Sequence, residues 1–355
     1  MRIIFYSDFH WLEDSSTFPA VPPRLHYQMD TAEWIADVIR EESPDLVING
    51  GDLKEVHDSI DMTSLDSLLK GENLISATCE ELGIRQAVMA GNHDQADDAG
   101  KYTILPALQG RSTLDLVKKC RTIDLDGFRV LCVAHRYDLA EIRKTLKRKG
   151  KHDLVVVHQD IVSAAWIPGI KDSPVGIDPE ELLQYGDYAV GGHFHHPQVL
   201  ADERFAIIGS PCYNNFKDTP VGIPRGVMMW EDGEFSWLEN PHTPIFATAY
   251  SLEEAEELLE EFDAANLLLR LKLPDDADAK AFKKVKKKFS NLAYFHVKHD
   301  YDIEGEFEAP TSVSIQADHD PVDVVTQHIA GLTTKLSRER LTKEATSVIQ
   351  ESLRQ

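Results

Sequence analysis

Five apolar runs of strand length each carry a short polar motif at or next to the carboxyl end. The runs are Ile3–Tyr6, Leu46–Ile48, Ala87–Met89, Leu154–Val157 and Tyr188–Val190. The motifs are Asp8–His10, Gly50–Asp52, Gly91–Asp94, His158 and Gly191–His195. Helical patterns separate several of the runs, which predicts an α/β fold. Ligands of open α/β sheets bind beyond the carboxyl ends of the strands, so these motifs are expected to meet there.

Nearly all the side chains in the motifs are metal-ligand types. The candidate ligands are Asp8, His10, Asp52, Asn92, His158, His193 and His195. In an extended segment residues i and i+2 point to the same side, so each D-x-H or H-x-H pair is expected to act together. Asp52 follows two glycines that permit a tight turn, which suits it to bridge two cations. Mixed nitrogen and oxygen donors suit Mn²⁺, Fe²⁺ or Zn²⁺.

A pair of cations about 3.5–4 Å apart can activate an attacking hydroxide and stabilise the attacking and leaving oxygens of a phosphate ester. His93 adjoins the candidate ligand Asn92 and is expected to protonate the leaving alkoxide. Asp94 is expected to fix the turn of the third motif. His57, His135 and His196 are interpreted as structural residues. A lone D-x-H or G-D sequence is weak evidence, whereas five motifs in order at strand ends are specific.

Composition limits the functional class. The 355-residue chain has a formal net charge of −23, which argues against simple DNA binding. Basic stretches at 143–151 and 280–288 are local exceptions, interpreted first as solvated helix faces, and bound cations would reverse the sign of an acidic site. The four cysteines form no C-x-x-C pair, which favours reduced thiols in a cytoplasm. With no signal-peptide pattern and no membrane-length apolar run, we expect a soluble cytoplasmic protein without membrane contact.

The remaining elements are predicted from local patterns. A capping box at 30–33 predicts a helix start, and residues 204–238 predict short strands forming a second sheet. Prolines at 241 and 244 mark a boundary. Beyond it, a capped helix is predicted to open at Ser251, Leu267–Leu273 and Tyr294–Val297 are predicted strands, and the Lys-rich stretch between them is a predicted helix. Asp320 begins a helical tail, whose apolar stripes fit core packing and partner binding equally well.

With these residues in place, the chain resembles the calcineurin-like metallophosphoesterases. Within them it is similar to the SbcD-type nucleases, the nuclease subunit of the double-strand-break repair complex, including their tailed-phage relatives. The five motifs cover the first 200 residues and identify the superfamily. Softer signs point to the nuclease branch: His158-Gln159, Gly209–Pro211 with Asn214, Lys217 and Asp218, Arg225-Gly226, and Glu239–Pro241.

The resemblance implies the fold and the site. One metal would be held by Asp8, His10, Asp52 and His195, and the second by Asp52, Asn92, His158 and His193, with His93 catalytic. The metals would be two divalent ions, Mn²⁺ for preference. The fold would be a four-layer α/β/β/α sandwich over residues 1–240, a small α+β cap that positions DNA over 241–310, and a C-terminal helical segment over 311–355. The protein would be a homodimer that acts on DNA ends and binds an SbcC-type ATPase through those helices.

One departure from the family pattern concerns the residues after the second motif. Family members often carry Phe-His shortly after G-D-L, with the histidine near the active site, and this chain has Lys54-Glu55 there. His57 follows two residues later. The balance between exonuclease and endonuclease activity is therefore open.

Two alternatives remain beside the DNA nuclease. One is a metallophosphoesterase that cleaves a small phosphodiester, a nucleotide or a phosphoprotein with the same ligand set. The other is a non-catalytic regulator of an ATPase, which an eroded site would signal. Here every candidate ligand position carries an Asp, Asn or His and position 93 carries a histidine, so the catalytic hypotheses are favoured.

Overall fold

The structure is a computed structural model that describes residues 1–12, 24–56, 59–97, 100–167, 171–214, 223, 225–263, 267–274 and 294–300. The chain divides into two compact units. The first contains residues 1–272 and 279–298, and the second contains residues 273–278 and 299–355. The two sheets and the candidate site described below belong to the first unit.

The secondary structure is mixed α/β. In chain order the strands are β1 Arg2–Tyr6, β2 Leu46–Asn49, β3 Arg85–Met89, β4 Leu114–Val117, β5 Cys120–Leu125, β6 Phe128–Val133, β7 His152–His158, β8 Ala165–Ile167, β9 Lys171–Asp172, β10 Gly186–Gly192, β11 Gln198–Leu200, β12 Phe205–Ile207, β13 Gly226–Glu231, β14 Glu234–Glu239, β15 Ile245–Ala249, β16 Leu267–Pro274 and β17 Tyr294–Asp300. The helices are α1 Arg24–Glu42, α2 Met62–Leu82, α3 Leu139–Lys149, α4 Pro179–Leu182 and α5 Leu252–Glu261, with a 3₁₀ turn at Leu105–Leu108. All five predicted motif-bearing strands are present.

Two six-stranded mixed sheets form the body of the first unit. The first sheet has the order β14-β13-β1-β2-β3-β4, with β1 to β4 parallel and β13 antiparallel to β1. The second has the order β11-β12-β10-β7-β6-β5, with β6, β7, β10 and β12 parallel. The five motif-bearing strands are therefore divided between the two sheets.

Alternating side chains of the strands build three apolar cores, which set the order of the layers. Ile4, Val47 and Val88 face α1 and α2, where Ile35 and Ile75 pack. Their neighbours along the strands face the second sheet; Phe5, Ile48 and Met89 meet Val130, Val156 and Val190 there. The far face of the second sheet packs on α3 and α4 through Val155, Val157, Ile142, Leu146 and Leu182. Burying each such side chain stabilises the fold by about 1.5–3 kcal/mol.

Two local predictions are wrong. Residues 204–238 do not make a separate sheet, because β12 extends the second sheet whereas β13 and β14 extend the first. The predicted capping box at 30–33 lies inside α1, which begins at Arg24. There the Thr31 hydroxyl donates to the Tyr27 carbonyl at 2.6 Å, a back-bond typical of a helix interior.

The segment beyond Asn240 contains β15, β16 and β17, which form a three-stranded sheet, and α5. The predicted helix cap is confirmed, since the Ser251 hydroxyl accepts the Glu254 N–H at 3.1 Å. The predicted Lys-rich helix and the C-terminal helical tail lie outside the described residues. All four cysteines are free. Within the described part of the chain, no helix combines the length and apolar character needed to span a membrane.

Candidate metal centre

The motifs meet because their strands are parallel neighbours. Tyr6 pairs with Asn49 and Asn49 with Val88, so the ends of β1, β2 and β3 share one edge of the first sheet. In the second sheet Gly192 pairs with His158, which aligns the ends of β7 and β10. Because the sheets pack face to face, the polar residues that follow all five strands converge at one place. The strand topology therefore brings the five motifs together at the carboxyl ends of the strands, as the sequence predicts.

Backbone turns, rather than extended segments, aim the side chains. Asp8, His10, Asp52 and His193 have positive φ angles of 58°, 49°, 55° and 87°. The side chains of Asp8 and His10 lie in one donor group, as expected. The expected reason, an extended backbone, is wrong, because both residues are left-handed. Left-handed backbone at non-glycine residues costs of order 1–3 kcal/mol and is concentrated at functional sites.

Two glycines allow the second and third motifs to approach closely. A Cβ at Gly91 would lie 2.1 Å from the Asp52 carboxylate, and one at Gly51 would lie 2.6 Å from the Gly91 nitrogen. Gly51 also has a φ of 114°, which favours glycine. Any larger residue would therefore push the Asp52 loop away from the Asn92 loop.

A first group of potential metal donors consists of Asp8, His10 and His195, whose ligand atoms all lie within 4.8 Å of one another. The Nε2 atoms of His10 and His195 are 3.1 Å apart. His10 Nε2 is 4.0 Å from Asp8 Oδ1 and 3.7 Å from Asp52 Oδ2. Two imidazole nitrogens and two carboxylates thus face one small volume, which is the donor set predicted for one metal.

A second group consists of Asp52, His158 and His193, again within 4.8 Å. His158 Nε2 lies 3.2 Å from Asp52 Oδ2 and 3.2 Å from Asn92 Oδ1. Its Nδ1 donates to the Gly50 carbonyl at 2.8 Å, which fixes the tautomer and leaves Nε2 as the donor atom for a cation. Asp52 Oδ2 is near both groups and is therefore placed to be shared.

The electrostatics of the pocket suit cations. Asp8 and Asp52 are 0% and 2% exposed, and buried carboxylates require compensation by positive charge. Burial raises the pKa of Asp8 and lowers that of His10 well below its usual range. Burial opposes charge on His158 as well, but Asp52 outweighs it and raises the pKa of His158 to about 9. A divalent cation would replace that proton and neutralise both carboxylates, so the residues fit a pair of metals.

His93 lies beside both groups, and its ring nitrogen is within 4.8 Å of ligand atoms of His10 and Asp52. Its backbone N–H donates to Asp52 Oδ1 at 2.9 Å, and its ring lies 4.6 Å from the His10 ring, centroid to centroid. Its Nδ1 contacts the backbone carbonyl of Glu55. With the proton of Nδ1 donated there, Nε2 is the ring atom left to exchange a proton with a substrate.

Three histidines interpreted as structural remain to be placed, together with two residues that lie outside the motifs. His196 accepts from Arg225 at 3.2 Å, which agrees with a structural role, and His57 lies outside the described residues. His135 is buried and bonds the His158 carbonyl at 3.1 Å, so it supports a ligand directly. Arg24 and Glu55 also contact the site. Arg24 carries no sequence signal, because it reaches the site from α1, outside every motif.

Comparison with known proteins identifies the family. The calcineurin-like phosphoesterase model matches residues 1–197, which is more than half of the 355-residue chain. The chain belongs to the calcineurin-like phosphoesterase family. The prediction of a metallophosphoesterase is thereby confirmed, and the family's use of divalent metals agrees with the two donor groups. No curated protein matches the chain significantly.

Solved structures similar to the chain include phosphoesterases. Yfce, a phosphoesterase from E. coli, is 14% identical with a TM-score of 0.34, over 70% of this chain and 97% of that one. A dimetal phosphatase from Danio rerio is 9% identical with a TM-score of 0.38, over 64% of this chain and 91% of that one. Likenesses at these TM-scores do not distinguish among the substrates of the family.

Proposed function

We propose that this metallophosphoesterase is the nuclease subunit of an SbcC-type ATPase complex and hydrolyses phosphodiester bonds at DNA ends. The proposal takes Asp8, His10, Asp52 and His195 as ligands of one metal. Asp52, Asn92, His158 and His193 are proposed for the other. When bound, two divalent ions supply an activated water nucleophile and charge neutralisation at the phosphate. Mn²⁺ is proposed from the resemblance to the SbcD-type nucleases, and the mixed nitrogen and oxygen donors are compatible with it.

The chain's own residues perform two tasks in this reaction. The donor groups would hold the two metals at the common end of the two sheets, next to His93. His93, whose Nδ1 contacts the Glu55 carbonyl, holds a proton on Nε2 and delivers it to the leaving oxygen of the ester. Because Asp8 and Asp52 are buried, their charged contacts are screened less by solvent than contacts at the surface.

The contacts of the residues typical of the nuclease branch carry the proposal. The hydroxyl of Ser210 and the amide of Asn214 donate to the Asp8 carbonyl at 3.1 and 3.2 Å. Arg225 donates to the His195 carbonyl. Asn240 in turn donates to the Pro211 carbonyl at 2.9 Å. The sequence features that resemble SbcD-type nucleases therefore support the backbone of two candidate ligands.

A phosphoesterase acting on a small phosphodiester, a nucleotide or a phosphoprotein is the second candidate. The net charge of −23 favours it, since polyanions are repelled by an acidic surface. The ligand set is the same for both candidates, so substrate assays separate them. A purely regulatory role is disfavoured because His93 and all seven ligand positions carry functional side chains.

The test compares end-labelled duplex DNA, single-stranded DNA, bis(p-nitrophenyl) phosphate and a phosphopeptide in Mn²⁺, with and without the ATPase. We expect cleavage of duplex ends that is abolished by EDTA and strongly reduced by His93→Ala. Strong activity on the small phosphodiester or phosphopeptide with none on DNA, with the ATPase present, would overturn the nuclease proposal. Mass measurement in solution tests the proposed homodimer.

A further inference from the structure

We propose that Glu55 is a positioning residue that joins the first donor group to His93. Its carboxylate faces Nδ1 of His10, and its backbone carbonyl contacts Nδ1 of His93. The inference rests on the phosphoesterase chemistry of the family and does not require the substrate to be DNA. It assigns a role to the position at which this chain departs from the SbcD-type pattern.

The side-chain half of the link begins with the orientation of His10. Its Nε2 faces Asp8, Asp52 and His195, so a metal would take that nitrogen and leave the proton on Nδ1. His10 is 3% exposed, and a buried N–H needs an acceptor. Among the described residues no group forms a standard hydrogen bond with Nδ1. The Glu55 carboxylate faces it at 3.6 Å. A carboxylate behind a ligating imidazole fixes its orientation and raises its basicity.

Arg24 fixes the Glu55 carboxylate in place. Its Nη2 lies 2.9 Å from Glu55 Oε2 and also donates to the His10 carbonyl at 2.6 Å and to Asn214 at 3.0 Å. The Arg24 side chain is 7% exposed, so its charge has lost most of its hydration and depends on these acceptors. Arg24 therefore contacts both Glu55 and the His10 backbone, and holds the Glu55 carboxylate beside the His10 ring.

The main-chain half of the link uses the same residue. The Glu55 carbonyl contacts His93 Nδ1. The residues that precede Glu55 are hydrogen-bonded to the first motif. The His10 N–H donates to the Asp52 carbonyl at 3.1 Å and the Trp11 N–H to the Leu53 carbonyl at 2.7 Å. The chain from Asp52 to Glu55 therefore runs along the first motif, and one residue sets the orientation of both a metal ligand and the proton donor.

The experiment measures metal binding first. Wild type, Glu55→Gln, Glu55→Ala and Glu81→Gln are titrated with Mn²⁺ and with Zn²⁺ by calorimetry. Glu81 is an exposed glutamate on α2 and serves as the matched control. We expect both Glu55 variants to lose about 10–100-fold in affinity at one of the two sites, with the other unchanged. In the Zn²⁺-loaded Glu55 variants, the ¹⁵N resonance of His10 Nδ1–H should be shifted relative to wild type, whereas the His93 resonance should be unchanged.

Turnover of bis(p-nitrophenyl) phosphate at saturating Mn²⁺ supplies a second readout. A positioning role predicts a fall in kcat with little change in KM. Unfolding in EDTA checks that both variants are folded, and Glu55→Gln keeps the shape of the side chain if Glu55→Ala is unstable. Wild-type affinity at both sites with an unchanged His10 resonance would overturn the proposal. An equal loss at both sites would overturn it as well, since that is a general structural effect. Neither outcome bears on whether DNA is the substrate.

Discussion

The Asp94 carboxylate accepts the backbone N–H of Asp52 at 2.8 Å, so the third motif holds the backbone of the second. Asp94 also accepts the N–H groups of Leu53 and Gly91, each at 2.9 Å. Burial, and then the charge of Asp52, raise the pKa of Asp94 to about 6. The turn-fixing role predicted for Asp94 is confirmed and extends to a neighbouring loop.

Replacing Asp94 should therefore be costly. Asp94→Ala leaves four backbone N–H groups, including that of Lys54, without this acceptor and should lower the free energy of unfolding by about 3–5 kcal/mol. Asp94→Asn keeps one accepting oxygen and should cost less. Urea unfolding in EDTA measures this without the contribution of metal binding. The control Asp66→Ala removes an exposed ion pair with Lys70 and should change stability by less than about 1 kcal/mol. A similar value for Asp94→Ala would contradict the assignment.

His93→Ala should remove proton delivery while leaving the donor atoms of the metals in place. For DNA, whose leaving group is a poor alkoxide, we expect a fall in turnover of about 10²–10⁴-fold. For bis(p-nitrophenyl) phosphate, whose leaving group departs readily as an anion, the fall should be smaller. Metal content by plasma mass spectrometry should stay at the wild-type level. Equal losses on both substrates, or loss of metal, would remove His93 from the role of acid.

Glu72 predicts a pH dependence of stability. Its carboxyl group is 1% exposed beneath the second motif; Tyr6 donates to it at 2.8 Å and Asn49 at 3.3 Å. Burial raises its pKa from 4.5 to about 7. The folded state thus favours the protonated acid. The stabilisation is complete below the ordinary pKa and is lost as the pH rises through about 7.

The size of this effect can be measured directly. A shift of this size is worth about 3 kcal/mol between pH 4.5 and pH 7.5. Glu72→Gln imitates the neutral acid, so the variant should gain stability over wild type as the pH rises across that range. Unfolding in EDTA at a series of pH values gives the difference between the two proteins, which cancels the contribution of Asp94. A difference that does not change with pH would show that Glu72 titrates normally in the fold.

The C-terminal segment supplies a prediction for the partner. Deletion of residues 318–355 should abolish binding of the ATPase and leave basal hydrolysis of bis(p-nitrophenyl) phosphate intact, because the donor groups lie in residues 1–197. A pull-down with the ATPase and a turnover assay measure the two properties. Full ATPase binding after the deletion would refute the proposed role of the tail.

Much of the fold could be predicted because the central strands are apolar on both faces. β4 and β5 carry charged residues between their apolar ones, so neither shows a continuous apolar run such as Leu154–Val157, and neither strand is predicted. The division into two sheets also escapes the strand pattern, since Phe5 and Val156 look alike in sequence although they lie on opposite sides of one core. Only the family resemblance supplies the four layers.

The donor residues could be predicted because metal chemistry limits the choice of side chain at strand ends. Their supporting residues are harder to predict. Arg24 and Glu55 meet through space, and neither spacing nor residue type links them to His10. Such contacts depend on where α1 packs on the sheet, which a local pattern does not encode.

The left-handed backbone at Asp8, His10, Asp52 and His193 has a consequence for protein design. Glycine would adopt these φ angles at lower conformational cost, so each aspartate or histidine there has a backbone conformation that is strained by its side chain. Grafting the seven donors onto straight strand ends of another scaffold would aim them in different directions. A working transplant has to carry the turns, the glycines that let them approach, and the sheet edge that supports them.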